Sequence, residues 1–209
     1  MARQLLIATH NPGKVREYRA LLADLPLALV SLADLGIQEA VEETGSTFQE
    51  NAERKARAYA ARTGLWTWAD DSGLEVDALG GRPGIHSARY AGPDATDQER
   101  CYRLLAELQG HPRPWRARFR CAVALVRPED GQEAVCHGTL EGQIIHTPRG
   151  THGFGYDPIF YLPDRGRTLA ELSPAEKNRI SHRARAAAAA RRVLARWLAQ
   201  PPGQGPDSR

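Results

Sequence analysis

Two adjacent carboxylates, Asp70-Asp71, precede Ser72-Gly73 at the end of an apolar stretch, and a second acidic pair, Glu42-Glu43, lies upstream. Neighbouring carboxylates repel, and burying both without a cation is costly. The simplest remedy is a hard divalent cation with oxygen ligands. Magnesium is favoured, because one or two carboxylates plus substrate phosphates commonly hold it. The plainer alternative is a solvated acidic turn with Asp70 as a cap.

Three further clusters carry reactive residue types. Thr9-His10-Asn11-Pro12-Gly13-Lys14 lies between an apolar run and a helical pattern. A loop entering a helix N-terminus offers N–H groups and a positive dipole end, which suit phosphate, and Lys14 adds a full charge. An ordinary turn with Asn11 as N-cap is the alternative. Gly153-Phe154-Gly155-Tyr156-Asp157-Pro158 sets two aromatics among glycines, a loop that can offer a stacking face to a nucleobase. A turn buried by its own aromatics explains it nearly as well. The run Glu176-Lys177-Asn178-Arg179-Ile180-Ser181-His182-Arg183 packs many hydrogen-bond donors into one helix start. Arg185, Arg191, Arg192 and Arg196 beyond it read as a solvated face.

The elements that must position these clusters follow from periodicity. Leu5 to Ala8 predicts a strand, and Val15, Tyr18, Leu21, Leu22 and Leu25 predict a helix ending at Pro26. Leu27 to Leu32 is the next strand. A T-x-x-E capping box at Thr47 to Glu50 opens a helix closed by Gly64. Trp66 to Ala69 predicts a strand that stops at Asp70, with Leu74, Val76 and Ala78 alternating afterwards. A second box, Thr96 to Glu99, starts a helix carrying Cys101, Leu104, Leu105 and Leu108. Trp115 to Leu125 alternates as a strand, forming a hairpin with 133–140 across Pro128-Glu129-Asp130-Gly131. Ser173-Pro174-Ala175-Glu176 begins a last helix running to Leu198, before Pro201-Pro202. Strands and helices alternate, so the fold class is α/β.

The chain has 209 residues, 42% of them apolar and 25% charged, which suits one domain or two joined lobes and excludes wholesale disorder. A formal charge of +3 is too small to indicate a nucleic-acid binder. Apolar runs such as Leu5 to Ala8 and Ala186 to Ala190 fall far short of the ~20 residues of a membrane span. No secretory segment opens the chain. Cys101, Cys121 and Cys136 are odd in number and lack C-x-x-C spacing, so reduced, buried cysteines and a cytoplasmic location are expected.

No cluster decides the matter alone, but their conjunction does. The sequence resembles the inosine/xanthosine triphosphate pyrophosphatase (Ham1-like) family. The matching segments are Ala8 to Lys14 with Glu17, Glu42 to Phe48 with Glu50-Asn51-Ala52 and Lys55-Ala56, Ala69 to Leu74, Gly84 to Gly92, Gly153 to Phe160, and Glu176-Lys177-Asn178 with Ile180 to Arg183. They run in family order from residue 5 to about 190. His10 stands where many members have Gly, and a positive φ there would strain it.

The resemblance implies an elongated two-lobed α/β fold, with a long bent mixed β-sheet flanked by helices and the active cleft between the lobes. One such domain would span 1–199, with 200–209 a disordered tail. It implies a homodimer hydrolysing ITP, dITP and XTP to the monophosphate and pyrophosphate with Mg²⁺. By the same resemblance Asp71 would be the catalytic proton acceptor, and Glu42 or Glu43, together with Asp71, would be the metal ligands, with Asp70 close by. Thr9, His10, Asn11, Pro12, Gly13, Lys14, Lys55 and Ser72 would hold the triphosphate. Phe154, Gly155, Tyr156, Asp157, Lys177, His182 and Arg183 would receive the nucleoside and part of the phosphate chain. The competing expectations are a pyrophosphatase for other modified or pyrimidine triphosphates, and a nucleic-acid module built on Arg116, Arg118, Arg120 and the last helix.

Overall fold

The computed structural model describes residues 3–200. The chain runs β1 (Arg3–Ile7), α1 (Pro12–Leu21), β2 (Leu27–Ser31), α2 (Phe48–Thr63), β3 (Trp66–Val76), α3 (Asp97–Leu108), β4 (Trp115–Arg127), β5 (Gln132–Ile144), β6 (Phe160–Leu162), β7 (Arg167–Thr168), α4 (Pro174–Ile180) and α5 (His182–Ala199), with short 3-10 turns between some of them. The strands form one mixed sheet in the order β2-β1-β3-β4-β5-β6-β7. The α/β expectation holds. The tail expected from 200 onward lies, except for Gln200, outside the described residues.

The chain divides into two compact units. The first gathers Met1–Asp71, Ala122–His137 and Arg185–Arg209. In it β1 pairs in parallel with both β2 and β3, Ile7 lying opposite Ser31 and Trp68. Leu5, Leu6 and Ile7 are fully buried, as a parallel strand with both faces covered requires. Trp66 and Trp68, two apart and so on one face of β3, take edge contacts from Trp197 of α5 and Tyr18 of α1. The buried side of α2 reads Phe48, Asn51, Ala52, Lys55, Ala56, Tyr59 and Ala60, a helical stripe interrupted by two polar residues.

The second unit gathers Ser72–Cys121 and Gly138–Ala184. Its core joins Leu74 and Val76 of β3, Leu104 and Leu108 of α3, and Phe119 and Phe160 of β4 and β6. The β4–β5 hairpin expected across 128–131 is present, because strands that neighbour each other across so short a link run antiparallel.

Three expectations need correction. β3 does not stop at Ala69 but continues to Val76, so Asp70 to Gly73 is strand rather than turn. As an inner strand between β1 and β4, β3 keeps a partner available past the apolar residues. The final helix is broken at Ser181, whose backbone is extended at φ −62°, ψ 158°. Its N–H closes α4 on the Lys177 carbonyl, and its Oγ accepts the Ala184 N–H to cap α5. Cys136 is only half-buried, whereas Cys101 and Cys121 are buried; all three are free thiols.

Candidate active site

In the first unit, β1 and β3 end their pairing at Ile7 and Trp68, after which the chain following β1 turns away while β3 continues. That divergence leaves the start of α1 beside Asp70, and Lys14 Nζ lies 2.8 Å from Asp70 Oδ2. The loop is ordered from within. Thr9 Oγ1 accepts the Asn11 N–H, and Asn11 Oδ1 caps α1 by accepting the Lys14 N–H, with Pro12 following as first helical residue. The N-cap reading of Asn11 is therefore correct and leaves Lys14 turned to a carboxylate. His10 has no positive φ, so the feared strain is absent. Its Nε2 lies 3.2 Å from the Tyr59 hydroxyl.

Asp70 and Asp71 are 1% and 5% exposed, which removes the solvated-turn reading. Asn51 Nδ2 donates to Asp71 Oδ2 at 2.9 Å, while Asn51 Oδ1 accepts the Gly45 N–H. A Cβ at Gly45 would sit 2.7 Å from that Asn51 oxygen, so the glycine permits the contact. Lys55 is ion-paired with Glu43. Glu42, by contrast, is exposed. Burial pushes the Asp71 carboxyl above its usual range, and the ammoniums of Lys55 and Lys14 only partly offset it. Burial also acts to lower Lys55, but Asp71, Glu43 and Asp70 outweigh it and hold the ammonium above its ordinary value.

Three carboxylates thus face two ammoniums, an all-oxygen donor set one positive charge short. Among the described residues no three side chains of metal-ligating type are grouped closely enough to hold an ion by themselves. Such a set fits a magnesium ion that completes its shell with water and phosphate oxygens.

The second unit holds the remaining candidates. Ser72 Oγ accepts from Arg183 Nη1, which also donates to His182 Nε2. The guanidinium can only donate, so that ring nitrogen is the acceptor. His182 is buried and stacked on Phe119, with centroids 4.7 Å apart. Phe154 meets Lys177 Nζ at 4.7 Å and the Arg183 guanidinium carbon at 4.8 Å from its ring centroid, both within cation–π range. Asp157 is 2% exposed, and its Oδ2 accepts from the Phe154 N–H and from Lys177 Nζ. Burial pushes the Asp157 carboxyl up, opposed by the Lys177 charge.

Within each unit the structure gathers most of its expected residues. Glu42 and Tyr156 stand apart: Glu42 is exposed, and Tyr156 is turned into the core, its hydroxyl donating to the Ser87 carbonyl, so it braces the loop rather than presenting a stacking face. Sequence reasoning gave Asn51 no role. The signal was legible, since Asn51 and Lys55 are polar residues four apart on the apolar stripe of α2.

A family model described as the Ham1 family matches residues 5–193. A dITP/XTP pyrophosphatase of Geobacillus kaustophilus is 55% identical over 185 residues, 88% of this chain and 90% of that protein. A HAM1 protein from Coxiella burnetii has a similar structure, with a TM-score of 0.84 at 45% identity, over 93% of this chain and 99% of that one. The Ham1 protein of Staphylococcus aureus gives 0.83 at 39% identity, over 93% and 100%.

Proposed function

The chain belongs to the Ham1 family, and from that premise we propose that it hydrolyses the non-canonical purine nucleoside triphosphates ITP, dITP and XTP to the monophosphate and pyrophosphate. The observation that carries this reading is the buried Asp70-Asp71 pair of β3, met by Lys14 at the start of capped α1 and by Lys55 of α2. Such an array suits a polyphosphate and its cation better than it suits a neutral substrate.

Asp71 is the proton acceptor for the attacking water. Its raised pKa makes the carboxylate a better base near neutral pH than an exposed aspartate. The Asn51 amide holds one Asp71 oxygen and so orients the other. Lys14, Lys55 and the approach to α1 from Thr9 to Gly13 bind the triphosphate, joined by Ser72, which follows Asp71 on β3. Glu43 and Asp71 would hold Mg²⁺, which when bound neutralises charge on the phosphate oxygens; Glu42, exposed, is the lesser candidate. Phe154 stacks on the purine, and Lys177, His182 and Arg183 supply donors that suit an oxo group at C6 and oppose an amino group. The working form is a cytoplasmic homodimer; among the described residues no helix is long and apolar enough to cross a membrane.

A panel of nucleotides with Mg²⁺, resolved by anion-exchange chromatography, tests the reaction. ITP should yield IMP and pyrophosphate in one step. Stepwise orthophosphate release through a diphosphate overturns the assignment.

A further inference from the structure

In the second unit the loop that carries Phe154 is gripped from α3 by two side chains one helical turn apart. Asp97, the first residue of α3, accepts the Gly155 N–H on Oδ2 at 2.7 Å. Cys101 points Sγ at the Gly155 carbonyl oxygen, 3.5 Å away. The four-residue spacing puts both on one helix face. Gly155 has φ +64°, and both of its polar groups are held by one helix, so neither flanking peptide can turn. Asp97 is itself anchored: Oδ1 pairs with Arg100, whose Nη1 donates to the carbonyls of Ala88 and Ala95. Burial pushes the Cys101 thiol up to about 12, so it stays protonated and able to donate at neutral pH. Phe154 directly precedes Gly155, and its own N–H is fixed on Asp157. With the backbone held on both sides, the face of the Phe154 ring is set before any base arrives.

We propose that Asp97, backed by Cys101, is a positioning residue for purine recognition: it holds the Gly155 peptide and thereby sets the Phe154 ring on which the base stacks. The inference rests on the purine-triphosphate reading above. A loop that must be ordered during binding weakens affinity without touching the reacting phosphates. Asp97→Ala should therefore raise KM for ITP about tenfold and leave kcat within about twofold.

The test combines kinetics with hydrogen exchange. In Asp97→Ala the amides of 153–157 should exchange faster, while inhibition by inorganic tripolyphosphate, which carries no base, stays unchanged. Asp97→Asn, whose side-chain oxygen still accepts, should restore most of the affinity. Glu99→Ala is the control, since Glu99 caps the same helix end through Thr96. It should lower the thermal midpoint yet leave KM alone. If Asp97→Ala does not fold, Asp97→Ser, compatible with a helix start but too short to reach, should show the same KM rise. An unchanged KM in Asp97→Ala, or an equal rise in Glu99→Ala, overturns the inference. Wild-type protein inert towards ITP overturns the purine reading instead, and the exchange rates at 153–157 then decide the Asp97 clamp independently.

Discussion

Asp71 bears its charge in a place that opposes it, and its neighbours show what a substitution there does. Lys14 and Lys55 already offset two of the cluster's three carboxylates, Asp71 included, so Asp71→Asn brings the set to neutrality rather than leaving a buried charge alone. The Asn51 amide keeps an oxygen to donate to. The variant should fold with a thermal midpoint close to wild type but lose roughly 10²–10⁴ in rate, the usual worth of a general base, with weakened Mg²⁺ binding adding to that. A well-folded variant with near-normal kcat would show that another carboxylate takes the proton. Phe154 makes a different kind of contribution. Its ring lies against the cations of Lys177 and Arg183 but touches no reacting group, so Phe154→Ala should weaken all purine substrates by roughly 1–3 kcal/mol without reordering them. Values of kcat/KM for ITP, XTP, GTP and ATP read this directly.

Elements act here through their ends. α4 is short, and its start is a complete capping box: Ser173 Oγ accepts the Glu176 N–H, and the Glu176 carboxylate takes the Ser173 N–H. Arg167 adds an ion pair. The Ser173 N–H, then Arg167, hold the Glu176 carboxyl at about 2, below its ordinary 4.5. A depressed carboxyl stabilises the fold above its unfolded pKa and loses that contribution as pH falls through the folded one. The stability gap between wild type and Glu176→Gln should thus be full above pH 4.5 and vanish towards about 2. Thermal midpoints of both proteins across that window check it; a gap that widens on acidification contradicts the cap. By holding α4 apart from α5, Ser181 makes His182 the first residue of α5 and turns it into the core, where one continuous helix would have carried it on.

At the scale of the molecule the arginines outnumber what a +3 chain displays as free charge. On β4, Arg118 binds Glu75 and Asp77, and Arg120 lies 3.5 Å from Glu75. In the first unit, Arg191 of α5 is paired with Asp24. Arg127 is fully buried, paired with Asp130 and set against Trp66 and Trp197. Arg185, Arg192 and Arg196 of α5 are exposed, a set too small for a phosphate-tracking stripe. Filter binding should accordingly retain no DNA at about 0.15 M salt. Strong retention that falls steeply with salt would revive the nucleic-acid reading.

What the sequence determined by itself was local. Caps at Thr96 and Ser173, the glycine stop at Gly64 and the apolar runs of β1 and β2 are set by groups a few residues apart, and they stand where periodicity put them. The box at Thr47 is only half made, because Glu50 reaches Ser46 instead. Reactive residue types were legible because they gather in short polar clusters, although Asp70 and Asp71 lie inside β3 and Lys55 inside α2. Tertiary structure decided the rest. Only an inner place in the sheet carries β3 through two carboxylates, because β4 remains beside it after β1 has turned away. Only packing paired Glu43 with Lys55 and left Glu42 exposed, made Asn51 the partner of Asp71, and turned Tyr156 inward. Those choices depend on groups 12, 20 and 69 residues apart, a separation at which no spacing rule operates.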